Sequence, residues 1–231
     1  MRKISDKLLI DRYINKYHID EVFTKDMKSH MELLFYRKNE YMFKEGEPIE
    51  YLLFIVEGKA KVFTTVSNGK SLLLCFYPES RVLGDIEIFE GITATTNVQA
   101  IEDSYCIGIS RENVTIHLLN DSKFLRFICS SLGQKLNRCA KNSAINLLYS
   151  LENRLASYIL AASEVSGKNG SRLLTFNENL SELSELLGTS YRHLHRALNS
   201  LCGKGVIRKL ASGYEITDPA EIRRLAADLY N

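Results

Sequence analysis

The chain has 231 residues, 45% of them hydrophobic, and a formal net charge of +2. That is enough apolar material for two ordinary domains with real cores, and too little positive charge for a protein coated in nucleic acid, so any such affinity has to be local. No N-terminal stretch is built like a secretion signal, no apolar run approaches the roughly 20 residues of a membrane span, and the five cysteines contain no Cys-x-x-Cys pair. A cytoplasmic protein is expected, with no membrane partner, no disulfide framework and no metal site.

Leu8, Leu9, Tyr13 and Tyr17 share one face of a helix predicted over residues 4 to 17, and Asp20 and Thr24 can start further turns. From about Glu32 short runs rich in β-branched and aromatic residues succeed one another. They cover residues 33–36, 41–43, 51–56, 59–66, 71–77, 98–101 and 105–109, separated by Gly, Pro, Asn and Asp. Seven or eight strands at this spacing predict a β-sandwich or roll. Gly46 and Gly58 mark turns, and Asn68-Gly69 predicts a hairpin between Val66 and Leu72. Residues 84–91 break the strand rhythm and predict a short helix.

Ser110 can cap a helix reaching Leu119, and a much longer helix is predicted from Asp121 to about Ile145. On it Leu125, Ile128, Leu132, Leu136 and Cys139 recur at steps of three and four, the seam of a two-stranded coiled coil. Such a stripe can pack on its own domain or on a second copy. A helix-turn-helix pattern further along the chain favours the second copy, since such a reader needs two copies to cover two half-sites. Ser150 can cap the next helix, which runs to about Val165 and leads into an exposed loop at residues 166–170. The domains are placed at residues 1–120, 121–147 and 148–231.

Residues 179–201 read as helix, tight turn and second helix. Asn179 caps the first helix with Glu182 closing a capping box, Gly188 makes the turn, and Ser190 caps the second helix. From Thr189 to Tyr214 the chain carries Arg192, Arg196, Lys204, Arg208 and Lys209 and no Asp or Glu, whereas Glu178, Glu182 and Glu185 precede the turn. The charge changes sign where a recognition helix would meet phosphate. Residues 206–210 and 214–217 then read as two strands around a turn at 211–213, which makes the unit a winged helix. The predicted fold class is α+β: an N-terminal β-roll, a long dimerisation helix and a C-terminal winged helix-turn-helix. Asn179, Ser190, Tyr191, Arg192, His195, Arg196 and Lys209 are the candidate DNA-binding residues.

In that order, with Lys44-Glu-Gly-Glu-Pro48, Leu52-Leu-Phe-Ile-Val-Glu-Gly58, Leu83-Gly-Asp-Ile-Glu-Ile-Phe89 and Val98-Gln-Ala100, nearly the whole chain resembles the Crp/Fnr superfamily of bacterial transcription regulators. Residues 118–126, 153–156 and above all Ser190-Tyr-Arg-His-Leu194 look like the YeiL-like branch. The resemblance implies a homodimer that binds a palindromic operator in double-stranded DNA, is controlled through its cyclic-nucleotide-binding-type jelly roll, and catalyses nothing. Residues 163–172 resemble the loop with which activators of the family touch RNA polymerase.

The segment resembling the family's phosphate cassette is residues 84–100. Where the cyclic-nucleotide binders hold the ribose with a Glu and the phosphate with an Arg, this chain has Asp85 after Gly84, and Ala94 before Thr95. The positions resembling the base-contacting Thr-Ser pair are Cys139 and Ala140. Cyclic AMP is therefore not an expected ligand, because a buried phosphate needs a countercharge. The iron–sulfur cluster of the oxygen-sensing members is not expected either, since no Cys precedes Cys75.

On the second helix Arg196 stands where the resemblance places a guanine-reading Arg, and Arg192 where many members carry a Glu. A metal-dependent cupin enzyme, the other use of such a roll, lacks its ligands, with no His between His30 and His117. The competing reading from a different class is a ligand-sensing or protein-interaction module that does not bind DNA.

Overall fold

The structure is a computed structural model describing residues 1–65, 71–166, 173–176 and 178–226. The chain divides into two compact units, Met1–Thr64 with Phe76–Arg138, and Thr65–Cys75 with Cys139–Asn231. In chain order the N-terminal elements are β1 (Arg2–Ile4), α1 (Lys7–Tyr17), β2 (Met31–Tyr36), β3 (Tyr41–Phe43), β4 (Tyr51–Glu57), β5 (Ala60–Thr65), β6 (Ser71–Tyr77) and β7 (Val82–Leu83). Next come α2 (Asp85–Glu90), β8 (Asn97–Ala100), β9 (Ser104–Ser110), α3 (Arg111–His117) and α4 (Ser122–Leu148).

The strands make a five-stranded sheet, β1-β2-β9-β4-β7, and a four-stranded sheet, β3-β8-β5-β6. Antiparallel pairing of β2 with β9, from Met31 opposite Ile109 to Tyr36 opposite Ser104, directs Leu33, Ile107 and Ile109 inward. There they join Leu52 and Phe54 of β4, Tyr13 and Ile14 of α1, Val114, and Phe124 and Ile128 of α4. Burying each of these side chains contributes about 1.5–3 kcal/mol. Gly58 lets β4 turn into β5: its φ is +93°, and an added Cβ would lie 2.3 Å from Ser104 Oγ.

Two expectations for this unit change. The predicted helix over residues 4–17 begins only at Lys7, because the Asp6 carboxylate accepts from Leu9 N–H (3.0 Å) and caps it there, while Arg2–Ile4 is free to pair with Leu33–Phe35. Leu8, assigned to the apolar face, is exposed, and Ile14 takes the buried place. Ile128, placed in the dimer seam, is 2% exposed in the unit's own core, so the seam cannot use it. Leu132 is partly buried against the same core, and Leu136, Cys129 and Cys139 remain exposed. The turn at Asn68-Gly69 lies outside the described residues.

The second unit contains α5 (Leu151–Ala162), β10 (Glu164–Ser166), β11 (Leu173–Phe176), α6 (Leu180–Leu186), α7 (Tyr191–Gly203), β12 (Ile207–Lys209), β13 (Tyr214–Ile216) and α8 (Pro219–Ala226). Ser150 caps α5, accepting from Asn153 N–H, and the helix stops at Ala162, earlier than expected, because Glu164–Ser166 pairs with Leu173–Thr175. The sheet order is β10-β11-β13-β12. Residues 167–172, which include most of the polymerase-loop resemblance, lie outside the described residues.

Candidate functional site

Capping and spacing build the helix-turn-helix. The Asn179 side chain accepts from Ser181 N–H (2.9 Å) and starts α6. Glu182 does not close the box on the Asn179 backbone. Its carboxylate instead takes a hydrogen from the Asn179 side-chain amide (3.3 Å). Gly188, at φ +60°, makes the left-handed turn, and Ser190 Oγ accepts from His193 N–H (3.3 Å) to start α7.

On α7 Leu194, Ala197, Leu198 and Leu201 are buried, the i, i+3, i+4, i+7 stripe of a packed helix. The opposite face therefore carries Tyr191, Arg192, His195, Arg196 and Asn199. Tyr191 stacks on His195 (ring centroids 6.3 Å, planes at 26°), and Asn199 Nδ2 is 3.2 Å from His195 Nδ1. Asn199 escaped the sequence reading, although its place four residues after His195 could have found it. Beside the helix, Tyr191, His195, Lys209 and Tyr214 line a cleft of about 220 Å³ between recognition helix and wing.

The five cations of this segment are not equivalent. Lys204 is paired with Glu152, which also accepts from Ser200 Oγ (2.9 Å). Arg208 lies across from Glu215 in the wing ladder and donates to it through Nε (3.0 Å). Arg192, Arg196 and Lys209 are exposed and make no ion pair among the described residues.

In the first unit, Asp85 is 1% exposed and accepts from Lys135 Nζ, a short contact, and more weakly from Ser131 Oγ (3.4 Å), both on α4. Glu87 turns its carboxylate onto Thr95, accepting from the backbone N–H (3.3 Å) and from Oγ1 (2.9 Å). The Ala94 N–H donates to the Glu47 carbonyl (2.9 Å). The donors a phosphate would need at Ala94 and Thr95 are thus already bound to the chain's own oxygens, so these residues do not fit a cyclic phosphate. Gly84 enters α2 at φ +84°, with space for no Cβ against the Tyr51 carbonyl (2.9 Å). Cys139 and Ala140 are exposed on α4. Among the described residues no helix is long and apolar enough to cross a membrane, and no three His, Cys, Asp or Glu side chains are grouped to hold a metal ion.

A roll whose residues 33–120 match the family model of the cyclic nucleotide-binding domain, joined to residues 153–225 matching that of the Crp-like helix-turn-helix domain, defines a transcriptional regulator with a DNA-binding helix-turn-helix. Homologues of this class are regulators rather than enzymes. The chain belongs to the Crp/Fnr family. It is 29% identical to regulatory protein YeiL of Escherichia coli O157:H7, over 90% of this chain and 92% of that one. It is 24% identical to a CRP-like cAMP-activated global transcriptional regulator of Mycobacterium tuberculosis, over 80% and 84%. A crp/fnr-family structure from Eubacterium rectale shares the fold with a TM-score of 0.72 at 12% identity, covering 94% of this chain and 99% of that one.

Proposed function

We propose that this regulator acts in the cytoplasm as a homodimer joined along α4, placing two copies of α7 in successive major grooves of a palindromic operator about 34 Å apart. The observation that carries this reading is the set of three exposed cations with no ion pair among the described residues, Arg192, Arg196 and Lys209, beside the stacked Tyr191–His195 pair. Ser190 and Lys209 contact phosphate. Arg196 reads guanine, and Arg192, where relatives of the cyclic-nucleotide type carry an acceptor, changes the preferred base pair. RNA polymerase is the further partner if the protein activates.

Control comes through the roll by a signal other than cyclic AMP. Support for that exclusion is the negative charge of Asp85 and Glu87 in the cassette, together with the hydrogen bonds that already occupy Thr95 and Ala94. The test is a binding-site selection from random duplexes, and then mobility shifts at several salt concentrations. Recovery of a palindrome with steeply salt-dependent affinity supports the reading. Weak, sequence-independent binding would favour a protein-interaction module.

A further inference from the structure

Ser131, Lys135 and Arg138 succeed one another on α4 at steps of four and three, and so share a face of that helix. Two of them reach the same buried ring: Lys135 Nζ lies 5.7 Å, and Arg138 Cζ 5.0 Å, from the centre of Tyr77. Arg81 adds a third cation beside the same turn, donating through Nη1 to Gln134 Oε1 (3.0 Å). The buried carboxylate beside Lys135, Asp85, is engaged by Lys135 and Ser131. Arg138 Nη1 is buried and meets no acceptor among the described residues. A native interior pairs such donors, and a guanidinium N–H is matched best by a carboxylate or phosphate oxygen.

The charges around α2 and α4 are therefore arranged in the opposite sense to a cyclic-nucleotide site. The cassette side presents carboxylates, Asp85 and Glu87, and the helix side presents cations. A ligand that pointed an anion at the cassette would meet Glu87. One that pointed it at α4 would supply the acceptor that Arg138 Nη1 lacks among the described residues.

We propose that the effector of this regulator is a small acid whose carboxylate or phosphate group is bound by Arg138, with its body against Tyr77. The proposal rests on reading the roll as the sensor. The polarity of the site also explains why a chain without the cassette Arg keeps two cations on the helix beneath it.

The test is the melting temperature of the full chain with malonate or inorganic phosphate at about 10 mM, against sodium chloride of matched ionic strength and against uncharged malonamide. At least one of the two anions should raise Tm by about 3 °C or more, as a ligand of the native state must, and malonamide should not. Arg138→Met should abolish the rise while leaving the anion-free protein at least as stable, because the unpaired donor is gone. The proposal is overturned if neither anion raises Tm, or if Arg138→Met responds as the parent does. It is equally overturned if Arg138→Met turns a dimer into a monomer by light scattering, which would assign the missing acceptor to the second copy. Mobility shifts on the same samples keep the two readings apart. Loss of DNA binding under every condition would sink the regulator reading while leaving an observed anion site in place.

Discussion

Lys135 neutralises a carboxylate that is 1% exposed, so the cost of removing it is set by the charge left behind rather than by the pair's own worth. Lys135→Met should destabilise the protein by about 3–5 kcal/mol in urea denaturation, and adding Asp85→Asn should recover most of the loss. Asp121 works differently. Burial pushes its carboxyl pKa up, but hydrogen bonds from the Thr24 side chain and backbone and from the Phe124 and Lys123 N–H groups outweigh this, and the net shift is downward from 3.8. A depressed folded pKa contributes stability that is complete above the ordinary carboxylate range and disappears as pH falls through the lower folded value. Asp121→Ala should therefore cost about 1–2 kcal/mol at pH 7, as loss of a helix cap does, and the difference from the parent should shrink as the pH is lowered below 3.8. A difference that grows on acidification would contradict this. At the DNA-facing surface, Arg196→Ala should change base preference in a binding-site selection, at about 1–3 kcal/mol of discrimination. Lys209→Ala should weaken all sequences alike and lower the salt slope by about 1.

At the scale of elements, the caps decided where helices begin, and they were legible because capping is chemistry between neighbours. Ser110, Ser150, Asn179 and Ser190, each expected as a cap, all accept a backbone N–H from the first turn of their helix. The turn between α6 and α7 depends on Gly188 at φ +60°, where the nearest atom an added Cβ would meet, Leu72 Cδ1, is at an ordinary 3.6 Å. The cost of Gly188→Ala is therefore backbone strain alone, about 1–2 kcal/mol, and denaturation should show it with no loss of helix in circular dichroism. Elements that depend on distant partners were not legible. Short β1 exists because Leu33–Phe35 offers an edge, and β10 because Leu173–Thr175 does. Neither three-residue run carries an alternation pattern of its own.

For the whole molecule, the proposed homodimer asks the repeat on α4 to serve two uses. Phe124 and Ile128 face the unit's own core and Leu132 packs partly against it, so the stripe the proposed second copy would use runs through Leu125, Leu136 and Cys139. Leu136 is 71% exposed and is the cleanest probe of that stripe. Leu136→Glu should give a monomer in light scattering with the roll still folded, and should lose most operator affinity, because two like charges would face one another in an apolar seam. A dimer that persists would move the interface elsewhere. Calorimetry with cyclic AMP belongs to the same scale: no tight binding is expected, and micromolar affinity would overturn the reading of the cassette.

The sequence by itself determined the order of roll, long helix and winged helix, the capped turn of the DNA reader, and the missing Arg of the cassette. These rest on local periodicity, turn chemistry and residue identity, which need no knowledge of what lies across the fold. Only the tertiary structure decided which of five cations near α7 are neutralised, because Glu152 and Glu215, which pair with Lys204 and Arg208, stand outside the segment where the charges were counted. It also decided that Glu87 occupies the Thr95 donors, that Ile128 belongs to the core, and that Lys135 and Arg138 converge on Tyr77. Each of these is a meeting of residues remote in sequence or a choice between helix faces, and a charge or an apolar side chain carries no record in the sequence of the partner that will face it.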